Sequence, residues 1–93
     1  MEFIHESNRI YMNNEQGVTT AEVTFPDVKD GVVDINHTFV DESLRGQGIA
    51  GKLMVEVAEQ LRKESKKAIP TCPYAIGWFG KNKDYDDILE KKE

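Results

Sequence analysis

Cysteine is nearly absent. Cys72 is the only one, and a lone thiol excludes an internal disulfide framework. Basic residues are in deficit: 12 lysines and arginines against 17 aspartates and glutamates leave a net charge of −5. Nucleic-acid binding needs a basic face that displaces counterions, and an anionic membrane surface asks for the same, so neither is expected as a partner. No apolar run approaches the roughly 20 residues that cross a bilayer. The opening Met1-Glu2-Phe3-Ile4-His5-Glu6 lacks the basic start and apolar middle of a signal peptide. Together with the unpaired cysteine, this makes the cytoplasm the expected location. No repeat, linker or change of composition divides the chain, so residues 1–93 read as a single compact domain near the lower size limit for independent folding. A hydrophobic content of 39% suits a core of one layer packed on another.

The pattern of what remains changes period once. Phe3 to His5, Ile10 to Met12, Val18 to Phe25 and Val32 to Val40 carry the alternation of half-buried strands. Ser7-Asn8, Asn13 to Gly17 and Asp30-Gly31 supply turn chemistry between them. Pro26 ends the third strand, since proline offers no ladder donor. These four strands read as an antiparallel meander with one buried face. From about Gly46 to Ser65 the period becomes helical: Ile49, Leu53, Val57 and Leu61 recur every fourth residue, with Ala50, Met54 and Ala58 beside them. Ala68 to Cys72 reads as a fifth strand, parallel to the fourth because the helix carries the chain back across the sheet. Pro73 then opens a short helix, Tyr74 to Phe79, which Gly80 is expected to stop. Asp84 to Lys91 is read as a charged terminal helix. The expected fold class is α/β (α+β): a mostly antiparallel sheet of about five strands, one long helix packed on it, and short C-terminal helices.

The chain is organised around Val32 to Val40 and the following Arg45-Gly46-Gln47-Gly48-Ile49-Ala50. A strand, a glycine turn and a helix start make a place for an anion. The free N–H groups of the first helical turn point out of the end, and the helix dipole adds partial positive charge. Glycines let a phosphate approach the backbone, and Arg45 is a phosphate-seeking guanidinium. A plain helix entry is the competing reading of the two glycines. The turn is not a P-loop, because the Gly-Lys-Ser/Thr ending is missing. It is not the dinucleotide fingerprint either, because antiparallel strands precede it.

Arg45-Gly46-Gln47-Gly48-Ile49-Ala50 resembles the acetyl-coenzyme-A motif of the GNAT (GCN5-related) N-acetyltransferase superfamily, Gln/Arg-x-x-Gly-x-Gly/Ala, with Arg45, Gly48 and Ala50 at its fixed positions. Cys72-Pro73-Tyr74, Trp78-Phe79 and the short length resemble a compact subfamily of GNAT-like proteins. The resemblance implies acetyl-CoA as cofactor, with its pyrophosphate on the backbone of Arg45, Gly46, Gln47, Gly48, Ile49 and Ala50. It implies that the pantetheine arm pairs with the strand end at Phe39 and Val40, where a backbone N–H polarises the thioester carbonyl. It implies an amine acceptor that attacks the acetyl carbon after a base removes its proton. Two departures stand out. Only a few residues around Ser7 and Asn8 separate the first two strands, where larger members carry a helical segment. Short helices also replace two C-terminal strands. The cofactor half is kept and the acceptor half is cut away.

Three side chains are candidates for the chemistry. Cys72 stands just before a helix N-terminus, a setting that favours nucleophilic thiolate; an ordinary buried cysteine is the alternative. His37 has the parity of Val33, Ile35 and Phe39, so it is expected on the apolar face, as a base or as a hydrogen-bonded core histidine. The resemblance implies for Tyr74 the role a tyrosine has in many GNAT relatives, giving a proton to the departing thiolate; packing is the alternative. Trp78 and Phe79 read as core anchors. The acidic group Asp84, Asp86, Asp87 and Glu90 reads as a solvated face, with no metal expected. His5 reads as a surface residue. The sequence thus points to an acetyl-CoA-dependent N-acetyltransferase with an unidentified amine acceptor. The alternative is a non-catalytic CoA- or acyl-CoA-binding sensor or regulatory module.

Overall fold

Alternating side chains build a sheet that the long helix covers. The computed structural model describes residues 3–90. Its strands are β1 (Ile4–His5), β2 (Arg9–Asn13), β3 (Thr19–Thr24), β4 (Asp27–Lys29), β5 (Val32–Ile35), β6 (His37–Val40) and β7 (Lys67–Pro70). Its helices are α1 (Ile49–Glu64) and α2 (Pro73–Lys81), with 3-10 turns at Glu42–Leu44 and Lys83–Ile88. β1-β2-β3-β6 form one antiparallel sheet, and β4-β5-β7 form a second. The turn at Asp30-Gly31 closes the β4–β5 hairpin, with Gly31 at φ 75°. β3 ends at Thr24, ahead of Pro26 as expected; the Pro26 carbonyl accepts the Asp34 N–H at 2.9 Å, and β4 begins at once in the second sheet. That short strand is absent from the sequence reading.

The expected strand from Val32 to Val40 is two strands. Asn36 and His37 both sit opposite Thr24: the Asn36 N–H donates to the Thr24 carbonyl at 3.2 Å, while His37 is Thr24's ladder partner. This extra residue is a β-bulge, held by a hydrogen bond of 2.6 Å from the Thr24 hydroxyl to Asn36 Oδ1. The bulge shifts the alternation by one. Val33 and Ile35 are buried, but beyond Asn36 the residues turned inward are Thr38 and Val40, and His37 and Phe39 are exposed. The parity argument that placed His37 on the apolar face is therefore corrected.

α1 lays Ile49, Leu53, Met54, Val57, Ala58 and Leu61 against Ile10, Met12, Ala21, Val23, Phe25, Val33 and Ile35. It starts at Ile49 rather than Gly46, because Gly46 and Gly48 take positive φ and belong to the turn. It ends where Ser65 adopts φ 58° and the Lys66 N–H returns to the Leu61 carbonyl at 2.9 Å, a backbone cap that satisfies an orphan acceptor. β7 lies parallel to β5, from Val32 beside Lys67 to Ile35 beside Pro70. α2 runs through Gly80 to Lys81 and is capped at Asn82, whose N–H and side-chain amide both donate to the Trp78 carbonyl. Gly80 is thus tolerated inside the helix. The expected terminal helix is a 3-10 segment instead, pinned to α1 by Arg62, which reaches both Asp87 and the Asp84 carbonyl. Lys91, the expected end of that helix, lies outside the described residues.

Candidate active site

Where β5 and β7 stop pairing, the sheet opens. The N–H groups of Thr71 and Cys72 both donate to the Ile35 carbonyl at 3.1 Å. Beyond that point β6 follows β3, and the chain after β7 turns into α2. One edge of β6 is left facing the gap. The Asp41 N–H donates to the Thr20 carbonyl at 2.7 Å, so the ladder to β3 runs through 37, 39 and 41. By antiparallel alternation the backbone groups of Thr38 and Val40 point the other way, into the gap. The sequence reading assigned this edge to Phe39 and Val40. The structure turns Thr38 and Val40 toward it and Phe39 away. Thr38 was missed because the bulge at Asn36 has no unambiguous sequence signal.

The gap leads to the glycine turn. Asp41 caps the 3-10 turn: its carboxylate accepts the Ser43 hydroxyl at 2.5 Å and the Ser43 N–H at 3.0 Å. The Ser43 hydroxyl, aided by its N–H, holds the Asp41 carboxyl below the usual carboxylate range. Gly46 (φ 86°) and Gly48 (φ 72°) are left-handed, where a side chain costs roughly 1–2 kcal/mol. No atom lies within 4 Å of where their Cβ would be, so the space over the turn is open. The Lys52 N–H donates to the Gly48 carbonyl at 3.1 Å and closes the first turn of α1. The N–H groups of Ile49, Ala50 and Gly51 therefore have no partner within the helix, and no side chain caps that end. Val40, Leu44, Arg45, Gly46, Gly48, Ile49, Ala50, Gly51 and Tyr74 line a cleft of about 200 Å³ here. Of the expected cofactor residues, Gln47 alone among 45–50 does not line it, and Phe39 does not either.

The opposite wall is the start of α2. Cys72 is its N-cap, with Sγ accepting the Ala75 N–H at 3.4 Å. The sulfur also lies 3.3 Å from Thr38 Oγ1, so the two side chains bridge the base of the gap. Cys72 is buried. Tyr74 is half-exposed, and its hydroxyl is 3.7 Å from where a Cβ on Gly51 would stand. Burial, then the nearby Cys72, raises the Tyr74 phenol above its ordinary value. His37 faces the other side of the sheet, exposed, with Nε2 3.8 Å from Glu22 Oε1. Arg9 ion-pairs with Glu22 there and lies 3.7 Å over the Tyr11 ring. Tyr74 and the glycine turn are thus brought to one cleft, Cys72 lies buried at the base of the gap beside it, and His37 faces away. His5 is engaged by α1, with ring nitrogens 2.7 Å from Gln60 Oε1 and Glu56 Oε1.

Orphan helix N–H groups, a nearby guanidinium and an open strand edge suit an elongated ligand that carries phosphate at one end and amides along its length. Residues 9–88 match the family model described as GCN5-related N-acetyl-transferase. The solution structure of a GCN5-like protein from Staphylococcus aureus superposes with a TM-score of 0.81 at 30% identity, over 99% of this chain and 90% of that one. A crystal structure from Agrobacterium tumefaciens, described as an acetyltransferase candidate, gives 0.62 at 25% identity, over 90% of this chain and 58% of that one. A ribosomal-protein-alanine N-acetyltransferase from Brucella melitensis gives 0.55 at 22% identity, over 91% and 64%, a likeness of fold. The chain therefore spans less than two thirds of those larger proteins. No curated protein matches the sequence. Among the described residues no helix is long and apolar enough to cross a membrane.

Proposed function

Because the chain belongs to the GCN5-related N-acetyl-transferase family, we propose that it transfers the acetyl group of acetyl-CoA to an amine. The observation that carries this reading is the meeting of an uncapped α1 N-terminus and the open edge of β6 in one cleft with Tyr74. The residues fit the group. The N–H groups of Ile49, Ala50 and Gly51 bind the pyrophosphate, and Arg45 adds charge. The open space over Gly46 and Gly48 admits it. The backbone of Thr38 and Val40 pairs with the amides of the pantetheine arm. When bound, acetyl-CoA supplies the acetyl thioester. The chain's own residues then handle protons. Tyr74, whose phenol carries its proton at neutral pH, donates to the leaving thiolate. A base accepts the proton of the amine. For His37 to be that base, the amine must approach from the outer face of the sheet, where its ring is exposed. Cys72 offers a second route: after its thiol proton passes to a base, the sulfur would take the acetyl carbon as the coenzyme A thiolate leaves and is protonated by Tyr74, and an amine would then take the acetyl group from the sulfur.

One observation favours a second reading, a CoA-binding module without turnover. β1 is two residues long and joins β2 through a tight turn closed by the Glu6 N–H on the Arg9 carbonyl at 2.8 Å. That leaves little of an acceptor site. Free-thiol release from acetyl-CoA in the presence of small amines, peptides with free N-termini and lysine peptides separates the two. The transferase reading expects amine-dependent release, slowed on replacing Tyr74 by Phe. An acetyl mass gain on the intact protein, lost in Cys72→Ala, assigns the covalent route. Tight binding with no release for any acceptor assigns the module.

A further inference from the structure

The cleft over the glycine turn does not end at Tyr74. The same residue lines a second groove of about 240 Å³ with Pro73, Gly77, Trp78 and Lys81. These residues share one face of α2, spaced i, i+1, i+4, i+5 and i+8. From Tyr74 to Lys81 the groove follows the helix for about 10 Å. Gly77 keeps its floor low, with nothing within 4 Å of where a Cβ would stand. Trp78 is braced from behind, edge-on to Phe79 at 5.0 Å and tilted against Tyr85 at 5.6 Å. Its Nε1 lies 3.4 Å from where a Cβ on Gly51 would be, so the indole stands against the first turn of α1. Among the described residues no carboxylate pairs with Lys81.

We infer that this groove is a subsite for the adenosine 3′-phosphate end of coenzyme A, with Trp78 as the platform for the base and Lys81 as the partner of the 3′-phosphate. The inference rests on the cofactor reading above. A ligand whose pyrophosphate sits on the α1 N-terminus can extend in two directions from it. The open edge of β6 takes the arm that carries the thioester. The groove along α2 borders the cleft at Tyr74, and its Trp78 stands beside Gly51 in the first turn of α1. A fixed aromatic face suits a nucleobase, since stacking is tolerant of base identity, and the Lys81 ammonium at its far end suits a phosphate monoester. The subsite makes the 3′-phosphate the mark by which the protein selects coenzyme A over nucleotides that share only its pyrophosphate.

Trp78 is the only tryptophan, so indole fluorescence reports on this groove alone. The experiment titrates the whole chain with coenzyme A and with dephospho-coenzyme A, which lacks the 3′-phosphate, following fluorescence and backbone amide shifts at low salt. Coenzyme A is expected to change the indole signal and to bind about tenfold tighter than the dephospho form, a preference that shrinks as salt screens the contact. Lys81→Gln is expected to weaken coenzyme A about tenfold and leave the dephospho form unchanged. Equal affinities in the wild type, or a preference that survives Lys81→Gln, overturns the subsite. Shifts at 45–51 without any change at the indole also overturn it while the cofactor reading stands. No shifts at 45–51 overturns that reading, and the subsite with it.

Discussion

Gly48 is where backbone conformation and ligand access coincide. Its φ of 72° is the left-handed entry to α1, and the space beside it is open. Gly48→Ala therefore costs stability by strain rather than by collision, about 1 kcal/mol, readable as a lowered urea midpoint. Asn, which tolerates this region, costs less. Asp41 holds the preceding turn through Ser43, and its folded pKa lies below the ordinary 3.8. A depressed carboxylate contributes stability above its unfolded value and loses it as pH falls through its folded one. The Ser43 amide is thus expected to titrate in NMR spectra with a midpoint below 3.8, and Asp41→Asn removes that titration. At this scale the sequence was legible where chemistry is local. The glycine turn does lead into α1, and Cys72 does stand at the N-cap of α2. His37 was not legible, because a one-residue bulge at Asn36 inverts everything after it and leaves no composition signal.

The two helices are fitted to each other through a position with almost no side chain. A Cβ on Gly51 would meet Trp78 Nε1 at 3.4 Å and Tyr74 Oη at 3.7 Å, ordinary contact distances. Gly51→Ala is therefore expected to fit and to stabilise the protein by about 0.5–1 kcal/mol through helix propensity. Gly51→Leu is expected to push both rings away and weaken cofactor binding, as a titration would report. At the other end of α1, Ser65 holds φ 58°, a conformation that suits glycine. Ser65→Gly is expected to raise the thermal midpoint by a few degrees. The types of β2, β3, α1 and α2 were readable from period, as was a parallel strand after α1, which runs Lys67–Pro70 rather than Ala68 to Cys72. The breaks were not. The strand Asp27–Lys29 was missed: Pro26 marks the end of β3 as expected but does not reveal that pairing resumes at once in the other sheet. Gly80 was read as a stop and lies inside α2, because the cap is supplied two residues later by Asn82.

The whole molecule is closed by a contact between distant parts of the chain. Arg62 donates to Asp87 at 2.6 and 2.9 Å, and the Tyr85 hydroxyl donates to Glu59 at 3.2 Å, so the C-terminal 3-10 segment is fastened to α1. Asp87 is held below its ordinary pKa chiefly by the Arg62 hydrogen bonds. The fastening is therefore present above the carboxylate's usual range and released in acid. Arg62→Ala is expected to speed amide exchange in 83–88 without disturbing β1–β3. The sequence announced a charged terminal helix here, since charge pattern does not reveal which partner a solvated face will find. The fold class was legible because periodicity and the family pattern agreed. The division into two sheets was not, because it depends on one bulge.

The central claim is that coenzyme A binds where the uncapped α1 N-terminus meets the open edge of β6. The most direct measurement is an amide NMR titration with acetyl-CoA. The account predicts saturable shifts at Thr38, Val40, 45–51, Cys72 and Tyr74, with Phe39 moving less because its backbone faces β3. No shifts at millimolar ligand, or shifts confined to the surface around Asp27 to Gly31 and Lys66, would contradict it and leave the glycine turn as a structural helix entry.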